Sequence, residues 1–195
     1  MTDFTGLRFI GIYPQITCDD NFIVRDLPGS GKRIDVLCRS LSACFDWAPT
    51  PTMREKLEYV AILSHSFYLH FVAPKGTYGK GETWWAESIR NSMRGAPPDN
   101  IEIKEMSIEL ALEGLLKENP SMFVLDGDGQ ALADISLSPG ASQYSFMLGN
   151  HLGFDERTVQ IINEMDIQKV SLGQRSYLGS HCVAAIISHF ERNGI

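Results

Sequence analysis

The sequence predicts an α/β fold with a mainly parallel sheet and helices on both faces. Three observations carry this. Short apolar runs rich in β-branched and aromatic residues recur at 7–13, 121–125, 144–148 and 166–172. Segments with helical spacing of apolar residues alternate with them. Nothing resembling a repeat, a low-complexity block or a Pro/Ser-rich linker divides the 195 residues, so a single domain over 1–195 is expected.

Element by element, LRFIGIY at 7–13 reads as a strand and NFIVR at 21–25 as a short second one. After Pro28-Gly29, Ser30 is expected to cap a helix whose buried stripe is Ile34, Leu37, Cys38, Leu41 and Phe45, leaving Arg33, Asp35 and Arg39 toward solvent or a groove. YVAILSH (59–65) and FYLHFVA (67–73) read as one long bent strand or two short ones. ETWWAESIRNSMR predicts a helix with Trp85, Ile89 and Met93 on one face, and the Trp84-Trp85 pair reads as helical core before it reads as a stacking surface. A helix from about 106 to 117 buries Ile108, Ala111, Leu112 and Leu115, and Asn119-Pro120 stops it. Strand–loop–helix units follow. SMFVL runs into DGDG, and YSFML into GNHLG. Asp155 caps a helix carrying Val159, Ile162 and Met165, with Phe154 and Val159 as a hydrophobic staple. DIQKVSL leads through a Gly/Ser loop to a last helix whose inner face is Val183, Ile187 and Phe190.

Composition narrows the function classes. The net charge of −7 argues against a broadly basic nucleic-acid surface, although Arg25, Lys32, Arg33 and Arg39 make a local basic patch around Asp26 and Asp35. Cys18, Cys38, Cys44 and Cys182 include no C-x-x-C pair and read as free thiols of a cytoplasmic protein. The N-terminal MTDFTGLRF has no leader pattern, and the apolar runs are far shorter than a membrane span. The histidines show neither H-E-x-x-H nor H-x-x-E-H spacing, so no metal site is expected.

The stretch DLPGSGKRIDVLCRS approaches a phosphate-binding loop without making one. That motif needs glycine at 26 and Ser or Thr at 33, where this chain has Asp26 and Arg33. A carboxylate repels phosphate, and arginine cannot ligate magnesium.

Three strand ends carry glycine loops: VLDGDG (124–129), MLGNHLG (147–153) and VSLGQRSYLGSHC (170–182). Each alone is an ordinary tight turn. Three at the carboxyl edge of one sheet suggest a pocket lined largely by main chain, without naming its ligand.

Together DLPGSGKRIDVLCRS, FMLGNHLGFDE and VSLGQRSYLGSHCVAAIISH resemble the archaeal tRNA pseudouridine N1-methyltransferases, the TrmY family of the SPOUT superfamily, in the same order over most of the chain. The last loop departs from the archaeal pattern, with Gly173 in place of a proline and Gly179-Ser180 in place of His-Ala, which resembles a bacterial branch. The resemblance implies a trefoil knot over about 120–195, S-adenosyl-L-methionine (SAM) as methyl donor, a homodimer, and tRNA as the acceptor RNA. It implies cofactor contacts from Leu125, Gly149, Gly153, Ser171, Leu172, Gly173, Gln174, Arg175, Ser176, Leu178 and Cys182, with Leu125, Leu148, Leu172 and Leu178 about the adenine. Cys182 is expected as a pocket wall and not a nucleophile, because N1 methylation needs no covalent adduct. On the acceptor side Asp35 is the candidate base or orienting acceptor beside Arg33, with Arg25, Lys32 and Arg39 contacting RNA; alternatively Asp35 only pairs with Arg39 along its helix. Two other functions stay open: methylation of a different RNA, and a non-catalytic knotted SAM- or RNA-binding protein.

Overall fold

The computed structural model describes residues 6–119, 121–135 and 143–193. Seven strands form one sheet in the order β4-β3-β2-β1-β6-β5-β7. β1 (Gly6–Tyr13) lies at its centre, parallel to β2 (Leu57–Leu63) on one side and to β6 (Gln143–Leu148) on the other. β5 (Met122–Ala131) is parallel to both β6 and β7 (Gln168–Ser171). β3 (Phe67–Val72) and β4 (Ile101–Glu105) extend the β2 side antiparallel.

All eight residues of β1 are buried, as expected of a strand covered on both faces. Its alternation sorts the core in two. Leu7, Phe9 and Tyr13 join Tyr59, Phe71, Phe146 and Val170 under α2 (Ile34–Leu41), α4 (Gly81–Met93) and α7 (Gly179–Arg192). Ile10 and Ile12 join Val60, Ile62, Val124 and Met147 under α5 (Ile108–Glu118) and α6 (Glu156–Glu164). Period two in the strands and 3.6 in the helices thus meet on both faces. The short α1 (Leu27–Ser30) and α3 (Pro51–Glu55) sit at the periphery.

Several local expectations are corrected. NFIVR is no strand; 24–26 form a 3₁₀ turn. Ser30 does not cap the long helix. It ends α1, where its hydroxyl donates to the Asp26 carbonyl and accepts from the Ile23 amide, while Arg33 precedes α2 in a left-handed conformation. The stripe Ile34, Leu37, Cys38, Leu41 and Phe45 is buried as read, the last turn widening to a π-helix over Ser42–Asp46. There Asp46 accepts from the Trp85 indole (3.1 Å), the Gly81 amide (2.9 Å) and the Tyr78 hydroxyl (3.1 Å), which fixes the start of α4. Trp85 is fully buried and Trp84 half-buried, the core alternative for that pair.

The 59–73 region resolves into two strands, β2 and β3, joined through Ser64 and His65, both left-handed (φ 48° and 57°). β4 had no counterpart among the expected elements. DGDG is not a plain loop: Leu125 and Gln130 both register on Val170, so 126–129 bulge out of β5 and the strand resumes. Asp155 caps α6 by accepting from the Thr158 amide (3.1 Å), but Val159 points outward and Ile161 takes the inner position with Ile162. α5 ends at Glu118 with Asn119 as its C-cap; the expected stop at Pro120 lies outside the described residues.

Candidate active site

At the carboxyl edge, β6 and β7 end beside the point where β5 bulges at 126–129, and each of the three strands carries one of the glycine loops. The loops enclose a cavity of about 630 Å³, lined by residues 125–127, 148–154, 171–179, Val36 and Cys182. That volume lies within the ~300–1,000 Å³ common to small-molecule sites. All eleven residues expected around a cofactor line this one cavity: Leu125, Gly149, Gly153, Ser171, Leu172, Gly173, Gln174, Arg175, Ser176, Leu178 and Cys182.

Its walls require their glycines. A Cβ on Gly149 would stand 2.6 Å from the Gly153 carbonyl carbon and 2.9 Å from its Cα, because Asn150 and Gly153 pair as an isolated bridge with amides and carbonyls exchanged. Gly153 and Gly173 have φ of 86° and 133°, where a side chain would be strained. The second wall is knitted by Ser171, whose hydroxyl lies 3.1 Å from both the Gly173 amide and the Gly173 carbonyl oxygen. Apolar surface comes from Leu125, Leu148, Leu172 and Leu178, of which Leu148 is buried and Leu178 about half exposed. Arg175 supplies the guanidinium, and Asp126, bonded to Lys169 Nζ at 2.7 Å, the carboxylate.

A SAM-sized ligand fits this chemistry: main-chain groups and leucines for a purine, and a guanidinium for a carboxylate. Cys182 belongs to the wall. Burial pushes its thiol up to about 11, away from the thiolate a nucleophile requires. Asp126, Asn150 and Tyr177 also line the cavity without having been singled out. DGDG carried the one usable hint, a carboxylate at a strand end; for Asn150 and Tyr177 composition gives no signal.

Beside the cavity, α2 contributes Val36 to its wall, while Asp35, one residue earlier, is buried (1% exposed). Of the two placements expected for Asp35, toward solvent or toward a groove, its burial rules out the first. Arg33 grips it with Nε to Oδ1 at 3.0 Å and Nη2 to Oδ2 at 3.2 Å, and Arg39 also donates to Oδ2. Arg39 further pairs with Glu82 of α4 at 3.4 Å. Both carboxylate oxygens are therefore occupied by guanidinium donors, and Asp35 bonds Arg33 in addition to its i,i+4 partner. Burying this carboxylate is tolerable because it is paired on both sides. Arg33 is raised above its ordinary value by the Asp35 hydrogen bonds and charge. Arg25 and Lys32 are exposed on the same N-terminal segment.

Among the described residues no group of His, Cys, Asp and Glu is assembled to hold a metal ion, and no helix is long and apolar enough to cross a membrane.

The profile of a family described as "Putative SAM-dependent RNA methyltransferase" matches residues 85–195, more than half of the chain and every loop of the cavity. The chain belongs to this family. Among this methyltransferase's relatives, the tRNA (pseudouridine(54)-N(1))-methyltransferase of Pyrococcus abyssi is 24% identical over 90% of this chain and 93% of its own length. The enzyme of that name from Methanocorpusculum labreanum is 26% identical over 96% and 98%. A solved structure of Archaeoglobus fulgidus Nep1 bound to S-adenosylhomocysteine superposes with a TM-score of 0.63 at 13% identity, covering 96% of this chain and 98% of that one. At that identity the likeness speaks for the fold, which is SPOUT-like.

Proposed function

We propose that this RNA methyltransferase holds SAM in the cavity between the 149–154 and 171–179 loops and methylates N1 of pseudouridine in the T-loop of a tRNA. The observation that carries the reading is the convergence of all eleven expected cofactor residues on one cavity beside the Asp35–arginine cluster. The names of the matching relatives favour pseudouridine at position 54.

Bound SAM would supply an electrophilic sulfonium methyl group. The chain's own residues have three tasks. The glycine walls and leucines hold the donor and exclude water; positioning of this kind can be worth roughly 7–11 kcal/mol of barrier. Arg33, Arg39, Arg25 and Lys32 hold the RNA through phosphate and base-edge contacts. Asp35, with both oxygens engaged, fits the orienting alternative: it fixes the two guanidiniums that would meet a flipped nucleotide, and takes the N1 proton only if one arginine swings away.

A threaded C-terminus is part of the same reading. It is supported by β6 lying between β1 and β5, and by α7 returning from the β7 edge to pack on α2 and the β1 side of the core. A cytoplasmic homodimer completes it.

Tritiated methyl donor offered with a pseudouridine-containing T-loop transcript and with its uridine counterpart tests the reading. Label in the first only is expected. Label in neither, with label in another RNA of the host, would move the substrate to that RNA.

A further inference from the structure

The loop that forms one wall of the cavity is fastened at both ends to a part of the molecule remote from it in sequence. At its far end His65 Nε2 lies 3.0 Å from Asp155 Oδ2 and 3.3 Å from Oδ1, and 3.4 Å from the Thr158 hydroxyl, which itself bonds Asp155. At its near end Asn150 Nδ2 donates to Gln15 Oε1 at 2.9 Å. Among the described residues the Gln15 amide nitrogen is buried without a hydrogen-bond partner, which leaves the bond from Asn150 to its oxygen to hold that carboxamide.

His65 and Gln15 come from one rigid corner. The 64–66 turn is tied to the end of β1 by the Ser64 amide to the Tyr13 carbonyl (3.1 Å) and the Ser64 hydroxyl to the Ile16 carbonyl (2.8 Å). It is tied to α5 by the amides of Met106 and Ile108, which donate to the carbonyls of Ser66 (2.8 Å) and His65 (2.9 Å). The His65 side chain is 13% exposed and its backbone is left-handed, a conformation uncommon outside glycine, which here turns the imidazole toward Asp155.

We infer that His65 and Gln15 are positioning residues for the donor site, clamping the 149–154 wall so that its main chain is set before SAM arrives. Neither lines the cavity. Both act through residues that do or that adjoin them, Asn150 directly and Asp155 beside Phe154. The inference rests on the SAM reading of the cavity.

The test is calorimetric titration of SAM into the intact protein, with steady-state kinetics on an accepting RNA. His65→Asn keeps a residue that tolerates the left-handed turn but is too short to reach Asp155. His65→Gln returns an amide N–H near the position of Nε2. For His65→Asn the Kd and KM for SAM should rise about tenfold, the effect of losing one charge-assisted hydrogen bond, while kcat at saturating SAM and KM for RNA stay as in wild type. His65→Gln should recover most of the loss. Amides of 149–154 should exchange faster with deuterium in His65→Asn and in Gln15→Leu without SAM present.

Wild-type affinity in His65→Asn, with unchanged exchange in that loop, would overturn the inference, as would equal losses in His65→Asn and His65→Gln. If the wild-type protein shows no saturable SAM binding, the cavity reading itself fails and this inference falls with it; a binding wild type with an indifferent His65→Asn defeats the clamp alone.

Discussion

Gly149 and Asp35 represent two ways in which a residue can be required. Gly149 is required for its missing side chain: the nearest atoms to an added Cβ are backbone of Gly153, which cannot move aside without opening the bridge to Asn150. Gly149→Val should therefore abolish SAM binding in an equilibrium titration while the sheet, measured by far-UV circular dichroism, persists. In the proposed function Asp35 is needed for its charge. Asp35→Asn keeps the size but places an amide donor against two guanidiniums, so turnover should fall by about 10²-fold, near the lower limit for loss of an acid–base or orienting group. SAM affinity should stay within about twofold, since Asp35 does not line the cavity. A parallel collapse of SAM binding in Asp35→Asn would place the carboxylate in the donor site instead. Both residues stood out in the sequence. The difference is that glycine's function follows from what it lacks, whereas Asp35 is buried under two arginines, one of them left-handed, an arrangement the one-dimensional pattern does not carry.

Elements were legible where one periodicity ruled. The strand at 7–13, the stripe of α2 and the inner face of α7 followed from spacing alone, while the burial of all eight residues of β1 did not. β4 was missed because its burial alternates weakly at an edge, and α6 was rotated because Val159 and Ile161 both satisfy a helical repeat. Ser64 and His65 hid a hairpin because neither is glycine, the usual signal for two left-handed residues. Strand pairing also makes a charge network no sequence reading could assemble: Arg8 on β1 bonds Glu58 on β2 at 2.8 Å and Glu118 at the end of α5 at 3.0 Å, and His70 on β3 meets Glu58 at 3.1 Å. Burial works to raise the Glu58 carboxyl, but the hydrogen bonds and charges of His70 and Arg8 outweigh it and hold it at about 2. A carboxylate depressed in the folded state contributes stability above its unfolded pKa, near 4.3, and loses it as pH falls toward 2. The melting temperature should therefore drop across that window, and Glu58→Gln should be less stable at neutral pH with a flatter acid limb; an unchanged acid limb would remove Glu58 from the account.

Over the whole molecule the charge is negative, so attraction to RNA must be local. Arg25 and Lys32 are exposed on the N-terminal segment that leads into the Asp35 cluster, and each phosphate contact contributes about 0.7 to the slope of log K against log salt for a single strand. Arg25→Ala should weaken binding of T-loop RNA and lower that slope by roughly that amount, leaving SAM affinity alone; an unaltered slope would put the RNA on another face. The cavity, the Asp35 cluster and the His65–Gln15 corner all lie about the strand ends, an arrangement whose ingredients were visible as three glycine loops but whose convergence required the order β1-β6-β5-β7. The most direct measurement is a crystal structure of the protein soaked with S-adenosylhomocysteine. Density for the nucleoside between the 149–154 and 171–179 loops is the predicted result, and a ligand bound elsewhere, or a cavity that excludes it at saturating concentration, would contradict the account.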